Sequence, residues 1–144
     1  MIYTSYFDKI SELPDNVIPV SICGKAPDWY TGLQYKTLAP KLEFFKKWEQ
    51  TKDNDYYTDN YNRLVLNVLT VEEVLEDLYN KLNDEQKGIL YSTDSNIDDC
   101  KCLHIVLICY EKPEEFCHRH IVADWFNENN IIVKEWEYGG IYNG

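Results

Sequence analysis

The stretch "LHIVLICYEKPEEFCHRHIVADWFNENNIIVKEWEY", residues 103–138, decides the fold. Residues 103–110 form a nearly continuous apolar run rich in Ile and Val, which predicts a strand buried on both faces. Residues 113–129 predict a helix with Pro113 at its first position, and Glu114 and Glu115 suit its first turn. Residues 131–138 predict a last strand. Strand, helix and strand in this order make a βαβ unit with parallel strands.

Earlier segments extend this pattern into a whole domain. Residues 2–7 and 17–24 predict two further strands, and residues 26–40 predict an ordered loop. Helices are expected from Pro40, through residues 61–68, and after Thr70, where Glu73 completes a capping box. Residues 83–101 predict a short strand or turn and a surface loop. We therefore expect residues 1–144 to form one α/β domain, Rossmann-like, with a mainly parallel sheet flanked by helices.

Composition narrows the classes of function. The chain has 144 residues and a net charge of −11, which disfavours nonspecific binding to nucleic acid or to an anionic membrane. The longest apolar run, residues 105–109, is too short to span a bilayer, and no signal peptide is evident. Five cysteines without a secretory signal predict free thiols and a cytoplasmic protein.

The ends of the predicted strands locate a candidate pocket. Ligands of parallel α/β sheets bind in the crevice beyond the carboxyl ends of the strands. This rule places Cys109 and Tyr110 at the rim of a crevice, and Gly24 and Lys25 face the same space. We expect Lys25, Trp29, Cys117 and Arg119 to converge there.

Cys117 is the candidate nucleophile. If the helix begins at Pro113, Cys117 lies one turn from its positive end, where the thiolate form is favoured. Arg119 adds a fixed charge and a planar fork suited to phosphate or carboxylate. The sequence predicts that Cys117 alkylates faster than the other four cysteines. The alternative is that Cys117 is buried as a small apolar residue.

Metal and cofactor sites are not predicted. Several thiol and imidazole side chains lie in this part of the chain, but no C-x-x-C pair occurs and their spacing matches no zinc motif. No Gly-rich phosphate loop and no G-x-S-x-G nucleophile elbow is present. We expect no structural zinc and no bound cofactor.

Two blocks of the chain resemble the domain-of-unknown-function 488 family. They are "SICGKAPDWYTGLQYKTLAP" (21–40) and "CYEKPEEFCHR" (109–119). The resemblance implies an α/β fold in which both blocks face one pocket. The residues that it carries over are Ser21, Lys25, Trp29, Tyr30, Cys109, Glu111, Lys112, Cys117, His118 and Arg119. The chain differs from the family pattern at Gly24–Lys25 and at His120, and no settled activity comes with the family.

The expected function is a small-molecule pocket. Rings at Trp29, Tyr30 and Tyr110 suit a planar, anionic ligand such as a nucleotide or nucleobase derivative, together with cations at Lys25, Lys112 and Arg119. If the pocket is catalytic, Cys117, His118 and Arg119 predict a cysteine- or histidine-assisted transferase or hydrolase. The alternative is a non-catalytic acidic protein that sequesters a ligand or inhibits a partner by mimicking the charge of nucleic acid.

Overall fold

The apolar strand predicted at residues 103–110 lies at the centre of a five-stranded parallel sheet. The computed structural model describes residues 1–90 and 103–137. The strands are β1 (Ile2–Tyr6), β2 (Val17–Ser21), β3 (Leu33–Gln34), β4 (His104–Cys109) and β5 (Val133–Glu135). Their order is β3-β2-β4-β1-β5, and every neighbouring pair is parallel. The predicted α/β class and parallel sheet are confirmed.

Within the described parts of the chain, five α-helices accompany the sheet. They are α1 (Leu42–Thr51), α2 (Asn54–Leu64), α3 (Val71–Asn80), α4 (Asp84–Leu90) and α5 (His118–Glu128). Thr70 caps α3 as predicted: its hydroxyl oxygen accepts a hydrogen bond from the Glu73 amide at 3.1 Å and donates to the Glu73 carboxylate at 3.2 Å. Asp53 caps α2 in the same manner, by accepting from the amide of Tyr56.

The two faces of the sheet are covered differently. On one face, side chains of α1, α2, α3 and α5 pack with Ile105 and Leu107 of β4 into the main core. On the other face, Val106 and Ile108 pack against the 3₁₀ segment Phe7–Glu12 and the residues after β2. Alternate residues of β4 therefore point into two separate clusters, as a centrally placed strand requires.

The last helix begins later than the sequence predicts. Residues 112–115 form a turn, in which the Glu115 amide donates to the Lys112 carbonyl oxygen and the Glu115 carboxylate accepts from the Lys112 amide. Helix α5 begins only at His118, so Cys117 is its N-cap and not a residue one turn inside it. The unit β4–α5–β5 is the predicted βαβ unit, with β1 lying between its two strands.

Two interpretations of the chain between strands need correction. Residues 26–40 are not wholly loop, because β3 and a 3₁₀ turn at Lys36–Leu38 lie within them. The segment from Asn83 begins with helix α4, where Asn83 and Gln86 exchange hydrogen bonds between each side chain and the other's amide. This reciprocal cap was not recognised in the sequence. The remainder of the predicted strand and loop, residues 91–101, lies outside the described residues.

The crossing connections define where a ligand would enter. After β2 the chain moves to β3 at one edge, and after β4 it moves past β1 to β5 at the other edge. Neighbouring strands whose connections leave in opposite directions open a crevice at their carboxyl ends. Within residues 1–90 and 103–137, no helix is long and apolar enough to cross a membrane.

Candidate functional site

A cavity of about 500 Å³ lies at the carboxyl ends of β2 and β4. The segment after β2 contributes Cys23, Gly24 and Lys25, and the segment after β4 contributes Tyr110 and Glu111. The other lining residues belong to α1, α2 and the start of α5 or to the segments just before α1 and α5, and they are Pro40, Leu42, Phe45, Trp48, Tyr57, Phe116, Cys117 and His118. The volume falls within the range of small-molecule sites.

Aromatic rings form one wall of this cavity. Trp48 of α1 lies 5.5 Å from the ring of Tyr57 and 5.7 Å from that of Phe116, between ring centroids. Tyr57 and Phe116 meet edge to face at 5.0 Å, and Phe45 lies 6.0 Å from Trp48. These ring contacts hold the side chains of the wall against one another in favourable edge and tilted geometries.

Cys117 and Cys109 are bonded to each other as a disulfide. The prediction that both are free thiols is therefore wrong for this pair. Cys109 ends β4 and is fully buried, whereas Cys117 lines the cavity with 4% of its surface exposed. As the N-cap of α5, Cys117 also accepts a hydrogen bond from the Arg119 amide, with 3.5 Å between nitrogen and Sγ.

His118 is a neutral imidazole with a defined tautomer. Its Nε2 lies 2.8 Å from the carbonyl oxygen of Ile22, and because a carbonyl only accepts, Nε2 carries the proton. Burial lowers the pKa of His118 to about 4, and the nearby Arg119 acts in the same direction. The unprotonated Nδ1 therefore faces Cys117, with 3.9 Å between Nδ1 and Sγ.

Arg119 does not reach the cavity. Its side chain is fully buried and forms a two-point ion pair with Glu135, at 3.1 Å from Nε and 3.0 Å from Nη2. Its Nη1 donates to the Glu111 carbonyl oxygen at 2.6 Å and to Cys109 Sγ at 3.3 Å. The expectation that Arg119 offers its charge to a ligand is wrong, because Glu135 already neutralises the guanidinium.

Several other predicted residues support the fold around the cavity without lining it. Tyr30 is buried and donates its hydroxyl hydrogen to the Leu33 carbonyl at 2.6 Å. Ser21 is buried, and its hydroxyl oxygen accepts from the Cys23 amide. Trp29 is 58% exposed and packs against Phe7 and Tyr30. The expected convergence of Lys25, Trp29, Cys117 and Arg119 is thus half right, since Lys25 and Cys117 line the cavity.

Few charges face the cavity. Lys25 is the one basic residue of the described parts of the chain that lines it, and Glu111 is the one acidic residue. Burial raises the pKa of Glu111, although Arg119 and Lys52 partly oppose this. The ammonium of Lys52 lies 4.1 Å from the centre of the Trp48 ring. Lys112, predicted to bind a ligand, is exposed and lies outside the lining.

Tyr110 ties the two sides of the cavity mouth together. Its hydroxyl donates to the carbonyl oxygen of Lys25 at 2.7 Å, across 85 residues of sequence. This bond joins the segment after β2 to the segment after β4, which are the two blocks singled out in the sequence. Lys25 and Glu111, which follow these two strands, both line the cavity.

One cluster of potential metal ligands occurs in the described residues. The side-chain ligand atoms of Cys109, Cys117 and His118 lie within 4.8 Å of one another. In the structure both sulfurs are engaged in the disulfide, so neither is a thiolate that would bind a cation. The expectation of no structural zinc stays a prediction.

The sequence missed the aromatic wall. A helix that begins at Pro40 places Leu42, Phe45 and Trp48 on one apolar face, and such a face is normally assigned to the core. Leu42 is 63% exposed and Phe45 and Trp48 are half-buried, because this face looks partly into the cavity. No local signal separates an apolar face that meets the sheet from one that borders a pocket.

Comparison with protein-family models, curated proteins and solved structures finds no match to this chain. The resemblance of its two blocks to the domain-of-unknown-function 488 family therefore stays a prediction.

Proposed function

We propose that this protein binds a planar small molecule carrying one anionic group, such as a nucleoside monophosphate or an anionic nucleobase derivative. The observation that carries the proposal is the aromatic wall of Trp48, Tyr57 and Phe116 in a cavity that Lys25 also lines. A ring system of the ligand packs against the wall, and the anionic group reaches the lysine.

The scarcity of cations limits the charge of the ligand. Arg119 is neutralised by Glu135, and Lys25 is the basic lining residue within the described residues. A triphosphate would bring several negative charges to a site that already contains Glu111, and unpaired charge is costly to desolvate. A single phosphate or carboxylate fits better, with Glu111 facing an amino or ring N–H group of the ligand.

Cys117 and His118 supply the chemistry if the disulfide is reduced. The Cys117 thiolate is favoured by the Arg119 amide at the start of α5. His118 is a weak base because of its low pKa, so its Nδ1 orients the thiol rather than taking the proton. This arrangement supports nucleophilic attack on an electrophilic carbon of the ligand, as in a cysteine-dependent transferase or hydrolase.

The test is a titration of the reduced protein with adenosine and uridine monophosphates and with the corresponding neutral nucleosides. Isothermal titration calorimetry on Trp48→Leu tests how much the aromatic wall contributes to Kd, with Trp29→Leu as the matched control outside the cavity. The Lys25→Ala variant tests the contribution of the lysine charge to Kd, with the exposed Lys112→Ala as its control. We expect about tenfold weaker binding for each cavity variant, from the loss of a ring contact or an ion contact, and unchanged Kd for the controls.

Two outcomes would remove the proposal. One is binding of no monophosphate or nucleoside at all, and the other is equal loss in the cavity variants and their controls. The alternative of an acidic binding protein rests on the net charge of −11. It predicts capture of a basic partner that weakens with salt and is indifferent to Trp48 and Lys25.

A further inference from the structure

We propose that Cys109 and Cys117 form a redox centre that exchanges two electrons with low-molecular-weight thiols and disulfides. In this centre Cys117 reacts with the small molecule, and Cys109 completes the protein disulfide. The activity does not depend on the ligand proposed above. It rests on three observations: the disulfide, the unequal access of its two sulfurs, and the contacts that Arg119 makes to both of them.

Access to the two sulfurs differs because of their places in the fold. Cys117 lines the cavity, whereas Cys109 is fully buried at the end of β4 and does not line it. A small thiol or disulfide that enters the cavity meets Cys117 first. Since thiol exchange requires the attacking and attacked sulfurs to approach in line, the buried Cys109 can react only with Cys117.

Arg119 contacts both sulfurs through different groups. Its backbone amide donates to Cys117 Sγ at 3.5 Å, and its Nη1 donates to Cys109 Sγ at 3.3 Å. When the disulfide is reduced, each contact favours a thiolate over a thiol. Glu135 and the Glu111 carbonyl hold the guanidinium in place. Arg119, which the sequence predicts to bind a ligand, instead stabilises the two sulfurs as thiolates in this proposal.

The reaction proceeds in two balanced steps. The Cys117 thiolate attacks one sulfur of a small disulfide, whose S–S bond breaks and releases one small thiolate, leaving a mixed disulfide on Cys117. The Cys109 thiolate then attacks Cys117 Sγ, which breaks the mixed disulfide and releases the second small thiolate. Both released thiolates take up protons from water. One small disulfide is reduced to two thiols while two protein thiols become one disulfide, and an excess of small thiol reverses both steps.

Cys23 provides the internal contrast. It is the free cysteine among the described residues, and it is buried with its Sγ 3.8 Å from the Ile108 carbonyl oxygen. Burial, assisted by Glu111, raises the pKa of Cys23 to about 12. Although Cys23 also lines the cavity, we expect its thiol to stay protonated near neutral pH and to exchange more slowly than Cys117. Proximity to the cavity is therefore not sufficient, and the contacts of Arg119 distinguish the reactive pair.

The experiment follows glutathione on the 144-residue chain by intact-protein mass spectrometry. All variants carry Cys100→Ser and Cys102→Ser, which remove two cysteines that lie outside the described residues. Reduced protein is mixed with oxidised glutathione, and the parent should form the Cys109–Cys117 disulfide without retaining glutathione. Cys109→Ser should retain one glutathione on Cys117, because the second step is lost. Cys117→Ser should remain unmodified over the same time.

Two further measurements test the role of Arg119 and the folding of the variants. Arg119→Lys should slow resolution of the mixed disulfide by about tenfold, because a hydrogen bond to a charged sulfur is lost. Circular dichroism checks that each variant is folded. The proposal is overturned if Cys117→Ser is glutathionylated as fast as Cys109→Ser. It is equally overturned if the native disulfide resists excess reduced glutathione, which would make it a purely structural crosslink. Neither result bears on monophosphate binding, which is measured separately.

Discussion

Replacement of Arg119 by methionine should destabilise the fold by about 3 kcal/mol. The guanidinium is fully buried, and the Glu135 side chain that it pairs with is 25% exposed. The substitution removes both hydrogen bonds to the Glu135 carboxylate, together with those to the Glu111 carbonyl and to Cys109 Sγ. Methionine keeps most of the length and apolar volume of the side chain, so the measured loss reports mainly the polar contacts.

The size of this loss in unfolding free energy follows from the partial exposure of Glu135. Removing one member of a buried ion pair costs about 3–5 kcal/mol, because the other charge is left unpaired. Here water reaches part of the Glu135 carboxylate, and the Thr4 hydroxyl still donates to it at 2.7 Å. We therefore expect the lower end of the range. Against a typical domain stability of about 5–15 kcal/mol, the loss should lower Tm by roughly 10 °C.

Urea denaturation followed by circular dichroism, with the disulfide in the same state in every sample, measures this loss. Arg63→Met is the matched control, because Arg63 is exposed and donates only to Asn60 at 2.8 Å among the contacts described. Its expected cost is below about 0.5 kcal/mol. The double variant Arg119→Met/Glu135→Leu should regain more than about 1 kcal/mol, since no unpaired carboxylate remains. Equal costs at Arg119 and Arg63, or no recovery in the double variant, would refute the reasoning.

Three other predictions concern the groups around the disulfide. Because the pKa of His118 falls from 6.5 to about 4 on folding, the unfolded chain binds the extra proton between these values. Stability should thus fall by roughly 2 kcal/mol as pH decreases from about 7 to about 5, and urea denaturation of His118→Gln should lack this component. Iodoacetamide near pH 7 should leave Cys117 unlabelled in oxidised protein. After mild reduction it should label Cys117 before Cys23, and the reverse order would contradict the role of Cys117 as the reactive thiol. Elemental analysis of untagged, oxidised protein should find no stoichiometric zinc, and zinc that disappears in Cys117→Ser would overturn this.

Local patterns in the sequence determined the scaffold. The apolar run of β4, the alternation in β1 and the Thr70 cap of α3 each depend on neighbouring residues, because strand and helix periodicity and capping act over a few positions. The rule for parallel sheets then placed Lys25 and Tyr110 at the mouth of the cavity. The same local reasoning began α5 too early, because a proline and two glutamates that suit a first helical turn form a separate turn here.

Only the tertiary structure decided what the site residues do. Arg119 is neutralised by Glu135, 16 residues away, and Cys117 is bonded to Cys109 instead of carrying a free thiol. The wall formed by Trp48 and Phe116 joins α1 to the segment before α5. These outcomes depend on distances between side chains in the folded chain, which the order of residues in a short segment does not determine. Residue type shows which chemistry a side chain can perform, but burial and the nearest opposite charge determine whether that chemistry is available to a ligand.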